Sequence, residues 1–253
     1  MSQTFRHPDI LEIARREGKV TVEELAAHFG VTLQTIRRDL TELADANKLE
    51  RVHGGAILPS GTTNIGYDER RNLNDDAKLS IARACADHIP EGCSVFLNIG
   101  TSTEAVARQL LRHRDLMVVT NNMNVANILV ENPDCQVIVT GGTVRRADGG
   151  LIGNVTIDTI RQFKFDIAVI GCSAMDTDGD LLDFDTQEVG VSQTIIEQSR
   201  KSFLVADNSK FSRTAPARIA SMRSLSTVFT DKPLPPELAE LCRNWDTGVV
   251  VAP

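Results

Sequence analysis

The run VTLQTIRRDLTEL, residues 31–43, holds two adjacent arginines, Arg37 and Arg38, within apolar residues that recur at helical spacing. On a helical wheel Leu33, Ile36, Leu40 and Leu43 share one face. Gln34, Thr35, Arg38 and Thr41 point away from it, with Arg37 at the flank. Taken alone this is an ordinary surface helix: Arg38 and Glu42 stand at i,i+4, an ion pair worth roughly 0.2–0.5 kcal/mol. Its neighbours change the reading. Upstream, Thr21 and Glu24 have capping-box spacing, and Val22, Leu25, Ala26 and Phe29 form a stripe that ends at Gly30. Downstream, KLERVHGGAIL alternates apolar and polar residues across a Gly-Gly, the pattern of a small hairpin. With a first helix from about Pro8 to Glu17, residues 1–57 read as a winged helix-turn-helix domain.

In such a module the second helix of the motif enters the major groove with its N-terminal residues toward base edges. Thr32, Gln34, Thr35, Arg37, Arg38 and Thr41 are therefore the candidate DNA contacts, with Arg51 and His53 on the wing. Glutamine suits adenine, and arginine suits guanine or phosphate. Charge opposes this reading. The chain carries a formal -7, and residues 1–56 hold eight Lys/Arg against nine Asp/Glu. Binding must then rest on a local basic face, repeated in a homo-oligomer, dimer or tetramer, that sums weak half-site contacts.

Residues 58–74, LPSGTTNIGYDERRNLN, are rich in Pro, Gly, Ser, Thr and Asn and read as a linker. From residue 75 to 253 strands and helices alternate. CSVFLNI, LMVVT, CQVIVT, FDIAVIG, SFLVAD, STVFTD and TGVVVA are strand candidates. Near-continuous Val/Ile strands separated by helices imply a mainly parallel α/β sheet covered on both faces. Ligands of such sheets bind beyond the strands' carboxyl ends.

Those ends carry the second set of candidates. NIGTSTEAVA (98–107) leaves a strand and opens a helix, offering Gly100, Thr101, Ser102 and Thr103 beside free helix amides, an arrangement that favours phosphate. No GK[ST] follows, so it is not a Walker loop, and an ordinary helix cap explains the segment as well. Asn121 and Asn122, then Gly141, Gly142 and Arg145, then Asp207 and Lys210 follow three other strands. Each has a bland explanation as a turn former or solvated charge. Together they suit a small anionic, hydroxyl-bearing effector, Lys210 for the phosphate and Asn121, Asn122 and Asp207 for hydroxyls. Asp176, Asp178, Asp180, Asp183 and Asp185 read as a solvated acidic loop or as partners for effector hydroxyls. Their spacing lacks the closing glutamate of a calcium loop, so no metal is expected.

The composition, 42% hydrophobic and 24% charged, is that of a globular protein, and with aromatics at 4% the core must be Val, Ile, Leu and Ala. No apolar run reaches the roughly 18–20 residues of a membrane span. No signal peptide is evident, and a cytoplasmic protein is expected. Cys85, Cys93, Cys135, Cys172 and Cys242 are scattered, without the spacing of a zinc site or disulfide framework.

The segment VTVEELAAHFGVTLQTIRRDLTELADANKLERVHGGAIL (20–58), with TIRRDL followed by R-x-HGGA, resembles the N-terminal signature of the DeoR family of bacterial transcriptional repressors, and the resemblance runs through essentially the whole chain. It implies operator DNA as partner, a phosphorylated sugar or polyol as effector, no cofactor and no catalytic residues. NNMNVANILV, GGLIGNVTIDTIRQFKFDIAVIG and DTDGDLLDFDTQEV are similar to a subgroup for which glycerol 3-phosphate is the implied effector and glycerol metabolism the implied regulon. The later residues also resemble ribose-5-phosphate isomerase and CoA-transferase-like folds, which leaves an isomerase-like enzyme with a DNA-binding appendage as the alternative. By that resemblance the isomerase's two aspartates fall at Ile170 and Ser173, and its lysine near Asp183, so the carboxylate base that proton transfer requires is missing. A repressor answering to another phosphosugar, or a regulator that also activates, stays open.

Overall fold

The computed structural model describes residues 3–17, 19–46, 48–57 and 66–253. Helix α1 (Gln3–Glu17), strand β1 (Lys19–Thr21), α2 (Val22–Phe29), α3 (Leu33–Asp45), β2 (Glu50–Val52) and β3 (Gly55–Ile57) form the first unit. Thr21 caps α2 by accepting from the Glu24 amide at 3.2 Å, Gly30 ends it in the left-handed region, and Thr32 caps α3. Ile10, Leu25, Ile36, Leu40, Leu43 and Leu49 close the core. The wing is a three-stranded sheet rather than a hairpin, because β1 pairs antiparallel with β3 in the order β1-β3-β2. That pairing requires Gly55: a Cβ there would stand 1.9 Å from the Val20 carbonyl oxygen.

Two expectations fail here. Helix α1 begins before Pro8 and runs through it. An interior proline costs about 3 kcal/mol in an isolated helix. Here the preceding turn is held by tertiary contact, since Arg6 donates from Nε to Asp39 at 2.8 Å and from Nη2 at 3.2 Å, with side-chain exposures of 6% and 1%. Asp39 thus belongs to the buried face of α3. Leu33, expected in the core, is 42% exposed, since it opens α3 and the helix's buried face begins only at Ile36.

The second unit begins with α4 (Tyr67–Asn72) and α5 (Asp75–Ala86). Residues 58–65 of the expected linker lie outside the described residues. Its later part is ordered as α4, with Asp68 and Glu69 in its first turn and Arg70 and Arg71 in its last, each favourable to the helix dipole. Then follow β4 (Ser94–Leu97), α6 (Thr101–Gln109), β5 (Leu116–Thr120), α7 (Met123–Leu129), β6 (Cys135–Val139), β7 (Thr143–Val144), β8 (Leu151–Ile152), α8 (Asn154–Ile160), β9 (Phe165–Ile170), β10 (Ala174–Met175), β11 (Asp180–Asp183), α9 (Thr186–Glu197), β12 (Ser199–Val205), β13 (Ala217–Ser221), β14 (Thr227–Thr230), α10 (Pro236–Asn244) and β15 (Gly248–Val251).

The seven strand candidates form one parallel sheet in the order β15-β14-β12-β9-β4-β5-β6. Alternate residues pack on opposite faces. Val95, Leu97, Ile167 and Val169 meet α5, α6 and α7, while Phe96, Ala168 and Ile170 meet α8, α9 and α10. The chain winds outward from β4 to β6, then restarts at β9 on the other side of β4. The switch point therefore lies between the carboxyl ends of β4 and β9, the usual ligand crevice of a doubly wound sheet.

The aspartate-rich segment is not a loop. It forms most of a hairpin in a second, antiparallel sheet of order β10-β11-β13. Asp183 is 4% exposed and accepts from the Ser173 hydroxyl at 2.8 Å, and Asp185 caps α9. The burial of DLLD, paired between β10 and β13, overrides the turn character of its neighbours. Among the described residues no cluster of His, Cys, Asp or Glu could hold a metal, and no helix is long and apolar enough to cross a membrane.

Candidate nucleic-acid face and effector cleft

Helix α3 turns an acid-free first stretch outward. Thr32, Gln34, Arg37, Arg38 and Thr41 are exposed and Thr35 half-buried, while Asp39 is withdrawn into the Arg6 pair. The balance of -1 over this segment is thus misleading, because one acid is buried and Glu42 lies beyond these positions. The Thr32 and Thr35 hydroxyls bond each other at 2.9 Å, and the Thr41 hydroxyl donates to the Arg37 carbonyl at 2.8 Å. Arg51 of the wing donates to that same carbonyl at 3.3 Å, holding wing and helix as one surface, and His53 is exposed at the wing's turn. The ordinary surface pair is present too: Arg38 Nε stands 3.1 Å from Glu42, with both side chains well exposed. Such a pair is weak and yields readily to phosphate. Leu33, freed from the core, adds an exposed apolar group of the kind that contacts a thymine methyl.

The second site lies at the carboxyl ends of the sheet. Asp207 opens the turn Asn208–Ser212 after β12, accepting from the Ser209 amide and hydroxyl and from Asn74 Nδ2 at 2.9 Å. Burial raises its carboxyl, but the Lys210 charge and these bonds outweigh that, so it sits below the usual carboxylate range. Lys210 itself is pushed down by burial and by the Arg213 charge. Arg213, only 8% exposed, has no acceptor within hydrogen-bonding reach of Nε, Nη1 or Nη2 among the described residues. Arg70 of α4 lies close enough to depress both. Lys78, lowered by burial to about 8, also feels Lys210 and Arg70. One buried aspartate therefore faces a cluster of cations, four of whose nitrogens, three on Arg213 and Nε of Arg70, have no partner among the described residues. Leaving such groups unsatisfied costs about 1–3 kcal/mol each, and more when charged, so an anion placed there would be favoured.

Not every sequence candidate joins it. Gly100 and the start of α6 stand at the switch point, with Thr101 and Ser102 half-buried there. The Thr103 hydroxyl is spent on the carbonyls of Asn98 and Gly100 at 2.6 and 2.7 Å. Asn122 is the cap of α7, accepting from the amides of Asn124 and Val125. Asn121 donates to the Leu151 carbonyl at 3.1 Å, leaving its Oδ1 buried without a donor among the described residues. Gly141 and Gly142 follow the edge strand β6, four strand spacings of about 4.8 Å, roughly 19 Å, from β12, too far for one small ligand to touch them and Lys210 together. Their role is local: a Cβ on Gly142, at φ +122°, would lie 2.1 Å from the Thr156 hydroxyl.

Arg145 reaches back from that edge, but to carboxylates. It pairs with Asp148 at 2.5 Å, Glu188 at 2.6 Å and Asp185 at 3.1 Å. Burial alone would lower its basicity, and these partners raise it well above the ordinary value. Its charge is more than balanced, so a phosphate gains little there. Burial and the Asp183 charge push the Glu188 carboxyl up to about 7. Arg70, Arg213 and Glu188 escaped the sequence reading. The signals are faint: Arg213 stands three residues after Lys210, and Arg70 sits in a segment whose composition reads as linker. A groove of about 660 Å³ lined by Arg71, Lys78, Thr101, Glu104 and Arg108 runs beside α4, but Lys210 and Arg213 do not line it.

Comparison with known proteins agrees with this division. Residues 6–62 match the model of the DeoR-like helix-turn-helix domain, and residues 73–232 that of the DeoR C terminal sensor domain. The chain is 47% identical over 235 residues to the glycerol-3-phosphate regulon repressor of Escherichia coli (strain K12), covering 93% of each chain. It is 44% identical over 230 residues to that of Haemophilus influenzae, covering 91% of this chain and 90% of the relative. A D-ribose-5-phosphate isomerase in complex with phospho-erythronic acid aligns over 54% of each chain, at 14% identity and a TM-score of 0.41.

Proposed function

Because the chain belongs to the DeoR family of DNA-binding transcriptional repressors, we propose that it represses genes of glycerol and glycerol 3-phosphate metabolism and leaves its operator when glycerol 3-phosphate binds the sheet domain. The observation that carries the effector reading is the buried Arg213 guanidinium, unpartnered at three nitrogens among the described residues and lying beside Lys210. Its demand for a compact anion fits a phosphate, and the two relatives are named for the regulon of a phosphorylated polyol. The phosphate takes Lys210 and Arg213, with the first amides of α6 and the Thr101 and Ser102 hydroxyls across the crevice. Asn121 Oδ1, one strand beyond the switch point, is an acceptor for a polyol hydroxyl.

On DNA, Gln34, Arg37 and Arg38 read bases and phosphates from the major groove. Thr32, Thr35 and Thr41 support them at the backbone, Arg51 and His53 carry the wing contact, and Leu33 offers its apolar surface. One such face is weak, so the working form is a homo-oligomer, in the cytoplasm where the operator is. The protein is a regulator rather than an enzyme. Ile170 is fully buried in β9, and the Ser173 hydroxyl is bonded to Asp183. Release requires an effector that prefers the non-binding arrangement, by the 1–3 kcal/mol typical of such coupling.

The test is an anisotropy titration of operator DNA with glycerol 3-phosphate, other phosphosugars and free glycerol. Glycerol 3-phosphate releases the DNA and glycerol does not. Release by another phosphosugar, with glycerol 3-phosphate inert, refutes the effector assignment.

A further inference from the structure

The guanidinium of Arg70 differs from the other cations near the crevice in where it comes from. It belongs to α4, the first described helix after the segment that leaves the wing, whereas Lys210 and Arg213 come from the sheet domain's own turn after β12. Its side chain is 18% exposed, its Nε is buried with no acceptor among the described residues, and its nearest acid, Asp148, stands 3.5 Å from Nη2. That acid is already supplied: Arg145 holds it by Nε at 2.9 Å and Nη2 at 2.5 Å, and the Gly150 amide donates to it at 3.2 Å. Arg70 therefore loses little by leaving Asp148.

The backbone of α4 is fixed separately. Lys78 Nζ donates to the carbonyls of Arg70 and Arg71 at 2.5 and 3.2 Å. The Tyr67 hydroxyl donates to Glu104 at 2.9 Å and accepts from Asn124 at 2.9 Å. The helix is bolted by its main chain and by Tyr67, so the Arg70 guanidinium is not needed as a bolt.

Resting on the effector reading above, we infer that Arg70 is a ligand of the effector's phosphate: on binding, its guanidinium exchanges Asp148 for the phosphate oxygens. The sensor sheet and the helix that tethers the DNA-binding domain are thereby clamped through the ligand. A phosphate held by Lys210, Arg213 and the start of α6 alone would tie together only parts of the sheet domain's own crevice. With Arg70 as third cation, the effector bridges two chain segments that otherwise meet through α5 and α6. Bound and free states then differ at the point where the wing's continuation enters the sheet domain, which supplies the differential contact that linkage demands.

The experiment is calorimetry on the full chain with glycerol 3-phosphate and with inorganic phosphate, alongside hydrogen exchange of the peptide spanning residues 66–73. In the wild type both ligands bind, and exchange at the Arg70 and Leu73 amides, bonded to the Gly66 and Glu69 carbonyls, slows on binding. Arg70→Gln raises the Kd for both at least tenfold and removes the slowing, and Arg70→Lys recovers part of the affinity. Tyr67→Phe loosens α4 without removing a cation and stays within threefold of wild-type affinity. Wild-type affinity in Arg70→Gln, or unchanged exchange at 66–73 in the ligated wild type, overturns the inference while leaving the effector site standing. An affinity loss in Tyr67→Phe equal to that of Arg70→Gln overturns it as well, since helix packing rather than charge is then the cause. A wild type that binds neither compound overturns the effector reading together with it.

Discussion

Replacing Asp39 by alanine is expected to unfold the DNA-binding domain while sparing the sheet domain. The carboxylate is 1% exposed and receives two bonds from Arg6, at 2.8 and 3.2 Å. Removing one partner of a buried ion pair costs about 3–5 kcal/mol, because the other charge is left desolvated. The lower end, about 3 kcal/mol, applies here, since the small domain leaves both groups a short way from solvent. A unit of some fifty residues has only about 2.5–7.5 kcal/mol at typical stabilities of 0.05–0.15 kcal/mol per residue, so the substitution removes much of it or all of it.

The chain's one tryptophan, Trp245, packs in the sheet domain, against Leu238 and its neighbours. Its fluorescence therefore follows that domain alone, and circular dichroism at helix wavelengths follows both. In Asp39→Ala the tryptophan transition keeps its midpoint, an early helical transition appears, and operator binding is lost at temperatures above it. Arg6→Met with Asp39→Leu, which removes both charges, regains most of the stability. Full operator affinity in Asp39→Ala with an unchanged melting profile would refute the reasoning, as would a tryptophan transition that moves with the helical one.

Three further outcomes follow from the same geometry. Arg38→Ala weakens operator binding and lowers the slope of log K against log salt by about one, whereas the lost Glu42 pair costs a few tenths of a kcal/mol at most; an unchanged slope measured by anisotropy across salt concentrations contradicts the phosphate contact. Gly55→Ala drives a Cβ into the Val20 carbonyl, costs about 1–3 kcal/mol as overpacking does, and unseats the wing, seen as loss of amide protection in residues 50–57. Glycerol 3-phosphate binding takes up protons above about pH 8: burial holds Lys78 near about 8 and Lys210 below its ordinary value, and a bound dianion raises both. Affinity therefore falls as pH rises through the free-state values, read by calorimetry in buffers of differing ionisation enthalpy.

Elements whose residues obey a local period were readable without the fold. The capped α2, the glycine turn, α3 and all seven parallel strands are written in spacing, because an amphipathic helix and a doubly buried strand each need only their own side chains to declare a face. Local pattern failed where distant groups decide. Asp39 reads as one more surface acid until Arg6, thirty-three residues earlier, is brought onto it, and that same contact carries α1 through Pro8. The linker composition of residues 66–74 hides a helix whose order comes from Lys78, Glu104 and Asn124. DLLD looks like loop until β13 pairs with it. At the candidate effector site the strand ends were legible one at a time, but which of them meet depends on sheet order. The reversal between β4 and β9 separates Gly141 and Gly142 from Lys210, and the fold brings in Arg213 and Arg70, which no local pattern singles out. Charge pairing and strand order are properties of the closed chain, and on them rests which of the polar strand-end candidates can touch one small anion.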